Sequence, residues 1–403
     1  MVGLGHVGLP LALKIAECGY PVTGLDTDSE RVEHISSTLP CREGSLAVTS
    51  DASALGDADI VLLCVPTPIK DGLPDMSHIE EAARAVSAHL RPGQLVVLES
   101  TSYPGTTEDL LRSILEDSGL TAGRDFLMGF SPERIDPGNT EFTLSNTPKI
   151  VAGIDHRSAE AMSAFYGSFV KDIVRVSSPA VAEMAKLLEN TYRHVNIALS
   201  NEMAILCNDL GIDVWEVIDA AGTKPFGFQT FYPGPGWGGH CVPVDPGYLS
   251  WRVREMGNTA RFVELATEFN QRMPGYVVER IAEALSAHGK QLAGVAVLVL
   301  GVSYKAETAD CRHSPAIEII TRLLEAGARV QFHDPHVGKI ATDTFELEGS
   351  ELTNELIESA DLVLLHTGHS ALDRDRDRIA KGARLIFDTR NFFGNVAGNI
   401  VKL

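Results

Sequence analysis

Three glycines near the start of the chain place the tightest constraint on its fold. The stretch GLGHVG puts Gly3, Gly5 and Gly8 in GxGxxG spacing, with His6 and Val7 between the last two, and an amphipathic run, LPLALKIAECG, follows directly. The next apolar stretch, YPVTGLD, ends on Asp26. A turn of this kind is tight, lets backbone approach a pyrophosphate, and leaves a carboxylate for a ribose hydroxyl pair. The three glycines alone are a weak signal, because any strand-to-helix turn with a solvated acid reproduces them. Together with the helix, the second strand and its terminal acid, they make dinucleotide binding the expectation. An acid at position 26 favours NAD over NADP, although Arg31 nearby weakens that preference. Only Met1 and Val2 precede Gly3, so the strand feeding the turn is expected to be cut short, costing the sheet a central strand and weakening the cofactor site.

The same alternation continues. DADIVLLCVP, GQLVVLEST and KIVAGI read as strands, with SHIEEAARAVSAHL and GTTEDLLRSILEDSG as helices between them, which implies parallel βαβ units. From Ser178 to Gly211 the pattern becomes one long helix, with Ser178 as cap, Pro179 in the first helical position and Gly211 as its stop. VELATEFNQRMPGYVVERIAEALSAHG is a second long helical stretch. Near Leu292 the strands resume as GVAVLVLGVS, ARVQFHDP, ADLVLLHT and ARLIFDTR, with SPAIEIITRLLEAGA as a crossover helix. The expected fold is α/β, with two Rossmann-like lobes joined by a long central helix and a helical middle domain. The expected boundaries are 1–177, 178–288 and 289–403.

A chain of 403 residues is long for one core. Its net charge of −20, from 54 acidic and 34 basic residues, argues against nucleic acid or an anionic membrane as partner. A small phosphorylated ligand stays compatible, because helix N-termini and a few placed cations hold it locally. The longest apolar runs are too short to span a bilayer, and no export signal is legible at the N-terminus, so the expected location is cytoplasmic. The six cysteines, Cys18, Cys41, Cys64, Cys207, Cys241 and Cys311, lack CxxC pairing and read as free thiols.

One of them has unusual surroundings. PGPGWGGHCVPVDP sets Cys241 among glycines and prolines, a backbone that packing alone does not require, so a close-fitting ligand or a reaction is implied. Cys241 stands four residues before Asp245, and a helical turn would bring thiol and carboxylate to one face. In AKLLENT, Lys186 and Asn190 are likewise four apart. A nearby cation lowers a thiol's pKa and makes it the reactive thiolate, and a carboxylate accepts or relays a proton. The plainer readings are a buried packing thiol and a solvated helix lysine, and spacing leaves both open. His240 and Cys241 have no second pair at ligand spacing, so no metal is expected.

At this point the chain resembles the nucleotide-sugar 6-dehydrogenase family, which includes UDP-glucose dehydrogenase. The matching blocks, in order, are GLGHVGLPLA, CVPTP, STSYPGTT, SPERIDPG, AKLLENT, GPGWGGHCVPVDP, GVSYKAETADCRHSP and DTRN. The resemblance implies oxidation of a UDP-sugar's primary alcohol to a carboxylate with two NAD, through an aldehyde and a thioester on Cys241. By matched position, Lys186 stabilises the oxyanion, Asp245 orients water or acts as base with Lys186, and Asn190 adds a hydrogen bond. Thr101 and Glu133 hold a catalytic water, with Glu133 a candidate base for thioester hydrolysis. The cofactor positions are Gly3, Gly5, His6, Val7, Gly8, Asp26, Arg31, Thr67 and Thr101, with Arg312 from the C-terminal lobe. The UDP-sugar positions are Glu133, Arg134, Lys186, Asn190, Tyr232, Gly234, Gly236, Gly238, Tyr304, Lys305 and Arg390. Where this chain has His313 the family is usually acidic, and Cys311 replaces an apolar residue, which puts neighbouring contacts in doubt. SPERIDPG, TKPFGF and the Pro243 and Gly247 positions resemble the UDP-N-acetylglucosamine branch; the UDP-N-acetylmannosamine branch tends to have an alanine and an aromatic there. UDP-glucose enzymes usually have an arginine where Lys224 and Pro225 stand. The resemblance also implies a homodimer through the central helices and a role in making polysaccharide. Two rivals stay open: a 3-hydroxyacid dehydrogenase, which needs neither the cysteine nor a C-terminal nucleotide lobe, and a catalytically silent NAD-binding regulatory protein.

Overall fold

Short apolar runs that are buried on both sides become the inner strands of parallel sheets, and their amphipathic neighbours become the covering helices. The computed structural model describes residues 1–38, 46–70, 72–134, 141–239, 242–394 and 398–403. It divides into two compact units, Met1–Asn190 with Val244–Thr259, and Thr191–Pro243 with Ala260–Leu403.

In the first unit the sheet runs Ile60–Leu63, Leu95–Leu98, Leu127–Phe130, Lys149–Gly153, Ile173–Arg175. All its pairings are parallel except Leu127–Phe130 against Lys149–Gly153. A second parallel pair, Val22–Leu25 with Leu46–Thr49, lies to the other side. Val2 bridges the two, pairing in parallel with both Leu25 and Leu63. Its N–H donates to the Leu62 carbonyl at 2.8 Å, and the Cys64 N–H donates back to the Val2 carbonyl at 2.8 Å. The expected gap in the sheet is therefore absent. Two residues suffice because the ladder bonds on both sides come from backbone alone.

Each face of this sheet has its own cover. The helix Ser77–His89 buries Ile79, Ala82, Ala83 and Val86, one stripe of its surface, against Val61, Leu63, Val96 and Leu98. On the opposite face Leu11 and Ile15 of the helix Gly8–Glu17 join Leu62, Val97, Phe165 and Tyr166. The stretch GTTEDLLRSILEDSG departs from its expected regular helix: Thr106–Leu111 winds as a wider π-type turn before the α-helix Arg112–Glu116.

The second unit repeats the layered plan. Its sheet runs Arg329–His333, Ala296–Leu300, Leu362–Leu365, Ile386–Asp388, Ile400–Lys402, parallel throughout. Ile319 and Leu323 of the helix Pro315–Glu325, with Ile281 and Leu285 of the helix Arg261–Ala287, cover one face. Leu372 and Ile379 belong to the core on the other. The long helix Pro179–Leu210 supplies residues to both units. It starts and stops as its caps predict: the Val181 N–H reaches the Ser178 hydroxyl at 3.4 Å, and Gly211 takes a left-handed φ of 69°. Among the described residues no helix is long and apolar enough to cross a membrane.

Candidate active site

In the first unit the strands up to Leu127–Phe130 are parallel, so the loops after them gather at one edge of the sheet. Asp26 follows Val22–Leu25, Thr67 follows Ile60–Leu63, Thr101 follows Leu95–Leu98 and Glu133 follows Leu127–Phe130. The Gly3–Gly8 turn sits where the strand order reverses, next to Val2, which is where such sheets bind ligands. Gly3 adopts φ 87°, and a Cβ there would lie 2.4 Å from the Cys64 carbonyl oxygen. A Cβ on Gly8 would lie 1.9 Å from the Gly3 oxygen. Gly5 differs, because a Cβ on it would meet nothing within 4 Å. His6 and Val7 are exposed beside it. Asp26 is buried, accepts from the Leu4 N–H at 2.8 Å and the Asp28 N–H at 3.0 Å, and pairs with Arg31 Nη1 at 3.3 Å. A turn with space above its second glycine and a fixed carboxylate beyond it fits a dinucleotide.

The helix Pro179–Leu210 presents Lys186 and Asn190 on one side, as their spacing predicts. Asn190 Nδ2 donates to Asp245 Oδ2. Asp245 is buried and opens the helix Asp245–Glu255. Burial pushes its carboxyl up to about 6, against the opposing pull of the Lys186 ammonium and the Asn190 bond. The helix begins at Asp245 and residues 242–244 are in a turn; the helical face expected to join Asp245 to Cys241 involves a residue outside the described ones. Cys241 and His240 lie outside the described residues.

Glu133 and Arg134 are the third and fourth residues of SPERIDPG, whose remainder, 135–138, also lies outside. Glu133 Oε1 accepts from the Arg134 N–H at 2.6 Å, and Arg134 reaches the Pro148 carbonyl at 2.8 Å and Glu189 at 2.7 Å. Behind Glu133 is a charge cluster that sequence reasoning missed. Lys149 Nζ donates to Glu99 Oε2 at 2.6 Å and to the Pro132 carbonyl at 3.1 Å, and lies 3.6 Å from Glu133 Oε2. The Tyr166 hydroxyl donates to the other Glu99 oxygen. Burial raises the Glu99 carboxyl to about 6, with Lys149 opposing. Burial alone would pull the Lys149 ammonium down, but Glu99 and Glu133 outweigh it and hold it up. Glu183 was also missed: fully buried, it accepts from the N–H groups of Gly105 and Thr107 at 2.7 and 2.9 Å, fixing the STSYPGTT turn after Thr101. Lys149 opens a strand and Glu183 sits in a helix, so neither carried a local signal.

In the second unit the loop before Cys241 is packed against its own protein. A Cβ on Gly234 would lie 2.4 Å from Arg390 Nη1, and one on Gly238 or Gly239 would lie 2.8 or 2.7 Å from Tyr304. These glycines therefore make room for Arg390 and Tyr304, two of the expected UDP-sugar residues. The Gly234 N–H donates to Asn201 Oδ1 at 2.9 Å, and Asn201 Nδ2 donates to Asn270 at 2.8 Å, which ties the loop to both long helices. Tyr232 donates to Asp219 at 2.7 Å and stacks on Trp215. Arg390 donates to the His366 carbonyl at 3.1 Å; burial draws its guanidinium down to about 10, so it stays charged at neutral pH. Lys305 is half-buried beside Ser303, whose hydroxyl donates to the Lys305 carbonyl. Arg312 is held in two bonds, of 2.9 and 2.6 Å, by Asp310.

Comparison with known proteins covers the whole of this layout. Three domain descriptions of the UDP-glucose/GDP-mannose dehydrogenase family match: the NAD binding domain over residues 1–170, the central domain over 180–272 and the UDP binding domain over 298–395. A UDP-N-acetyl-D-mannosamine dehydrogenase of Methanococcus maripaludis is 35% identical over 97% of this chain and 92% of its own. An NDP-N-acetyl-D-galactosaminuronic acid dehydrogenase of Ralstonia solanacearum is 33% identical, with 98% and 95% covered. Among solved structures, a UDP-D-ManNAc dehydrogenase from Pyrococcus horikoshii superposes with a TM-score of 0.90 at 32% identity, covering 100% of this chain and 97% of the other.

Proposed function

The chain belongs to the UDP-glucose/GDP-mannose dehydrogenase family of NAD-dependent nucleotide-sugar oxidoreductases, and from that premise we propose that it oxidises the 6-hydroxyl of a UDP-N-acetylhexosamine to the carboxylate. The observation that carries this reading is Asp245, buried yet tied to Asn190 and facing the charge of Lys186. A fold alone has no use for that cluster.

The Gly3–Gly8 turn would hold the pyrophosphate of NAD and Asp26 its ribose, and NAD would supply the hydride acceptor for each of the two oxidations at C6. Lys186 steadies negative charge on the C6 oxygen as the hydroxyl proton leaves, and Asp245 with Asn190 fixes that ammonium and a water. The aldehyde accepts the Cys241 sulfur at C6 and its oxygen takes a proton, giving a thiohemiacetal. Loss of the second hydride and that proton leaves the thioester. Water, deprotonated by Glu133, then adds to the carbonyl carbon, the C–S bond breaks, and the thiol is restored. One sugar, one water and two NAD yield one carboxylate, two NADH and three protons. Arg390, Tyr304 and Lys305 supply the charge and stacking surface for the uridine diphosphate.

For the sugar, N-acetylmannosamine stands first. The Methanococcus and Pyrococcus relatives carry that name, whereas the glucosamine expectation leaned partly on Gly247. A Cβ at Gly247 would lie 2.6 Å from Ile69 Cδ1, so packing accounts for that glycine without reference to the substrate. The homodimer rests on Val181, Met184, Leu188, Tyr192, Leu199 and Leu206, which form an exposed apolar stripe along the helix Pro179–Leu210 at heptad-like spacing.

The test is NADH release with the UDP-linked forms of N-acetylmannosamine, N-acetylglucosamine, N-acetylgalactosamine and glucose. Two NADH per sugar are expected, fastest with N-acetylmannosamine, and one NADH or none overturns the four-electron reading. Cys241→Ser should abolish uronic acid formation. The rate should fall as pH drops through about 6, where Asp245 takes up a proton.

A further inference from the structure

We propose that Lys149 is a positioning residue for Glu133, holding that carboxylate in place for the hydrolytic half of the reaction. The proposal rests on the reading of Glu133 as the hydrolytic base. Lys149 opens the strand Lys149–Gly153 and is almost fully buried, at 5% exposure. Its ammonium has three protons to place. One goes to Glu99 Oε2 at 2.6 Å and one to the Pro132 carbonyl at 3.1 Å, the residue before Glu133. The third lies toward Glu133 Oε2, 3.6 Å away.

The surrounding bonds tie the short segment carrying Glu133 to the sheet from both sides. The Ser131 hydroxyl donates to the Ile150 carbonyl at 2.8 Å, and Arg134 Nη1 donates to the Pro148 carbonyl at 2.8 Å. Lys149 lies between these two clamps and, among the described residues, is the cation there that faces both acids. Glu99 is wholly buried and is anchored in turn by Tyr166, which is fully buried on the covering helix His156–Tyr166.

The arrangement costs stability, since two carboxylates and an ammonium leave water for the interior, and such groups are usually replaceable by apolar ones where only folding is at stake. Placing a cation within reach of a base gives the cluster a use. It keeps Glu133 from turning toward solvent or collapsing onto Arg134 when the sugar is covalently attached, and it does so without touching the substrate.

The experiment compares the parent with Lys149→Met, with the double variant Glu99→Gln/Lys149→Met, which removes the buried pair together and so leaves the net charge of the cluster unchanged, and with Glu133→Gln. Each is mixed with NAD and the UDP-N-acetylhexosamine that the parent oxidises fastest. In both Lys149 variants the expected result is a burst of two NADH per chain followed by a steady rate lower by about tenfold or more. The KM for sugar should fall along with the steady rate, leaving kcat/KM within about twofold of the parent, because slowing a step after acylation lowers both together. Acid quenching should trap an acyl adduct on Cys241, seen by mass. If Glu133→Gln stalls in this way and the Lys149 variants do not, the positioning role is overturned while the reading of Glu133 stands. If Glu133→Gln turns over without an adduct, that reading falls and the proposal falls with it. A Lys149→Met chain that loses burst and steady rate together, with the double variant doing the same, has only lost its fold and overturns the proposal.

Discussion

The main sheets of the two units open with the same backbone device and surround it differently. In the first unit Gly3 takes φ 87°, its N–H donates to the Leu25 carbonyl, and the Leu4 N–H donates to Asp26 Oδ2 at 2.8 Å. In the second, Gly301 takes φ 72°, its N–H donates to the His333 carbonyl, and the Val302 N–H donates to Asp334 Oδ2 at 2.7 Å. Two residues beyond each glycine the likeness ends. Gly5 leaves open space, whereas Ser303 is fully buried, with its hydroxyl 2.8 Å from the Lys305 carbonyl and 3.1 Å from His369 Nε2. Among the described residues Asp26 keeps only the half-exposed Arg31 as side-chain partner, while Asp334 is bonded by buried His369 at 3.1 Å and by the His336 and Val337 N–H groups. A dinucleotide needs the space above the second glycine and a carboxylate with acceptor capacity to spare. The first turn offers both. The second fills them with its own side chains, so its acid is committed to the fold while the first keeps room for a ligand.

The largest expected effect tests the first turn. Gly8→Val would drive a Cβ to 1.9 Å from the Gly3 oxygen, and calorimetry should find no NAD binding; retained affinity would break the comparison at its base. Asp334→Asn comes next, with a loss of about 2–4 kcal/mol in unfolding free energy and an unchanged NAD Kd. Its pH dependence sharpens the point. Burial alone would raise the Asp334 carboxyl, but His369 and the Val302 and His336 N–H groups hold it well below the usual carboxylate range. A depressed folded pKa means that the stabilisation is complete above the unfolded value near 4 and is lost as pH falls below it. Urea unfolding of the parent from pH 7 to 3 should therefore lose stability more steeply than the variant does.

Asp26→Asn should reverse the pattern, weakening NAD about tenfold, or about 1.4 kcal/mol, while unfolding changes by less than about 1 kcal/mol. Equal stability losses from the two acids would erase the distinction drawn between them. Ser303→Gly has the smallest expected effect, about 1 kcal/mol of stability, with NAD stoichiometry still one per chain. A second bound NAD would show that the hydroxyl alone closes the second turn.

How far the sequence could be read depended on whether cause and effect were neighbours in the chain. The helix Pro179–Leu210 was legible to its ends because Ser178, Pro179 and Gly211 act locally. Lys186 and Asn190 were legible as a pair for the same reason. Their target was not, since Asp245 meets Asn190 across a long sequence separation. The family blocks named Glu133, yet nothing local flagged Lys149 or Glu99, whose charges read as ordinary solvated ones until the sheet buries them. The glycines around Gly234 and Gly238 were expected to let backbone approach a ligand, and in the fold they admit Arg390 and Tyr304.

Sequence by itself determined the class of the protein: strand and helix periods, a turn only glycines can make, and a spaced acid are all set by backbone sterics and short-range bonds. Only the tertiary structure decided which strand-end acid is left for a ligand, that Val2 completes the sheet, and that Lys149 stands behind Glu133. Those outcomes depend on which distant side chain fills a given space or faces a given charge, and burial, which makes such pairings strong, exists only once the chain has folded.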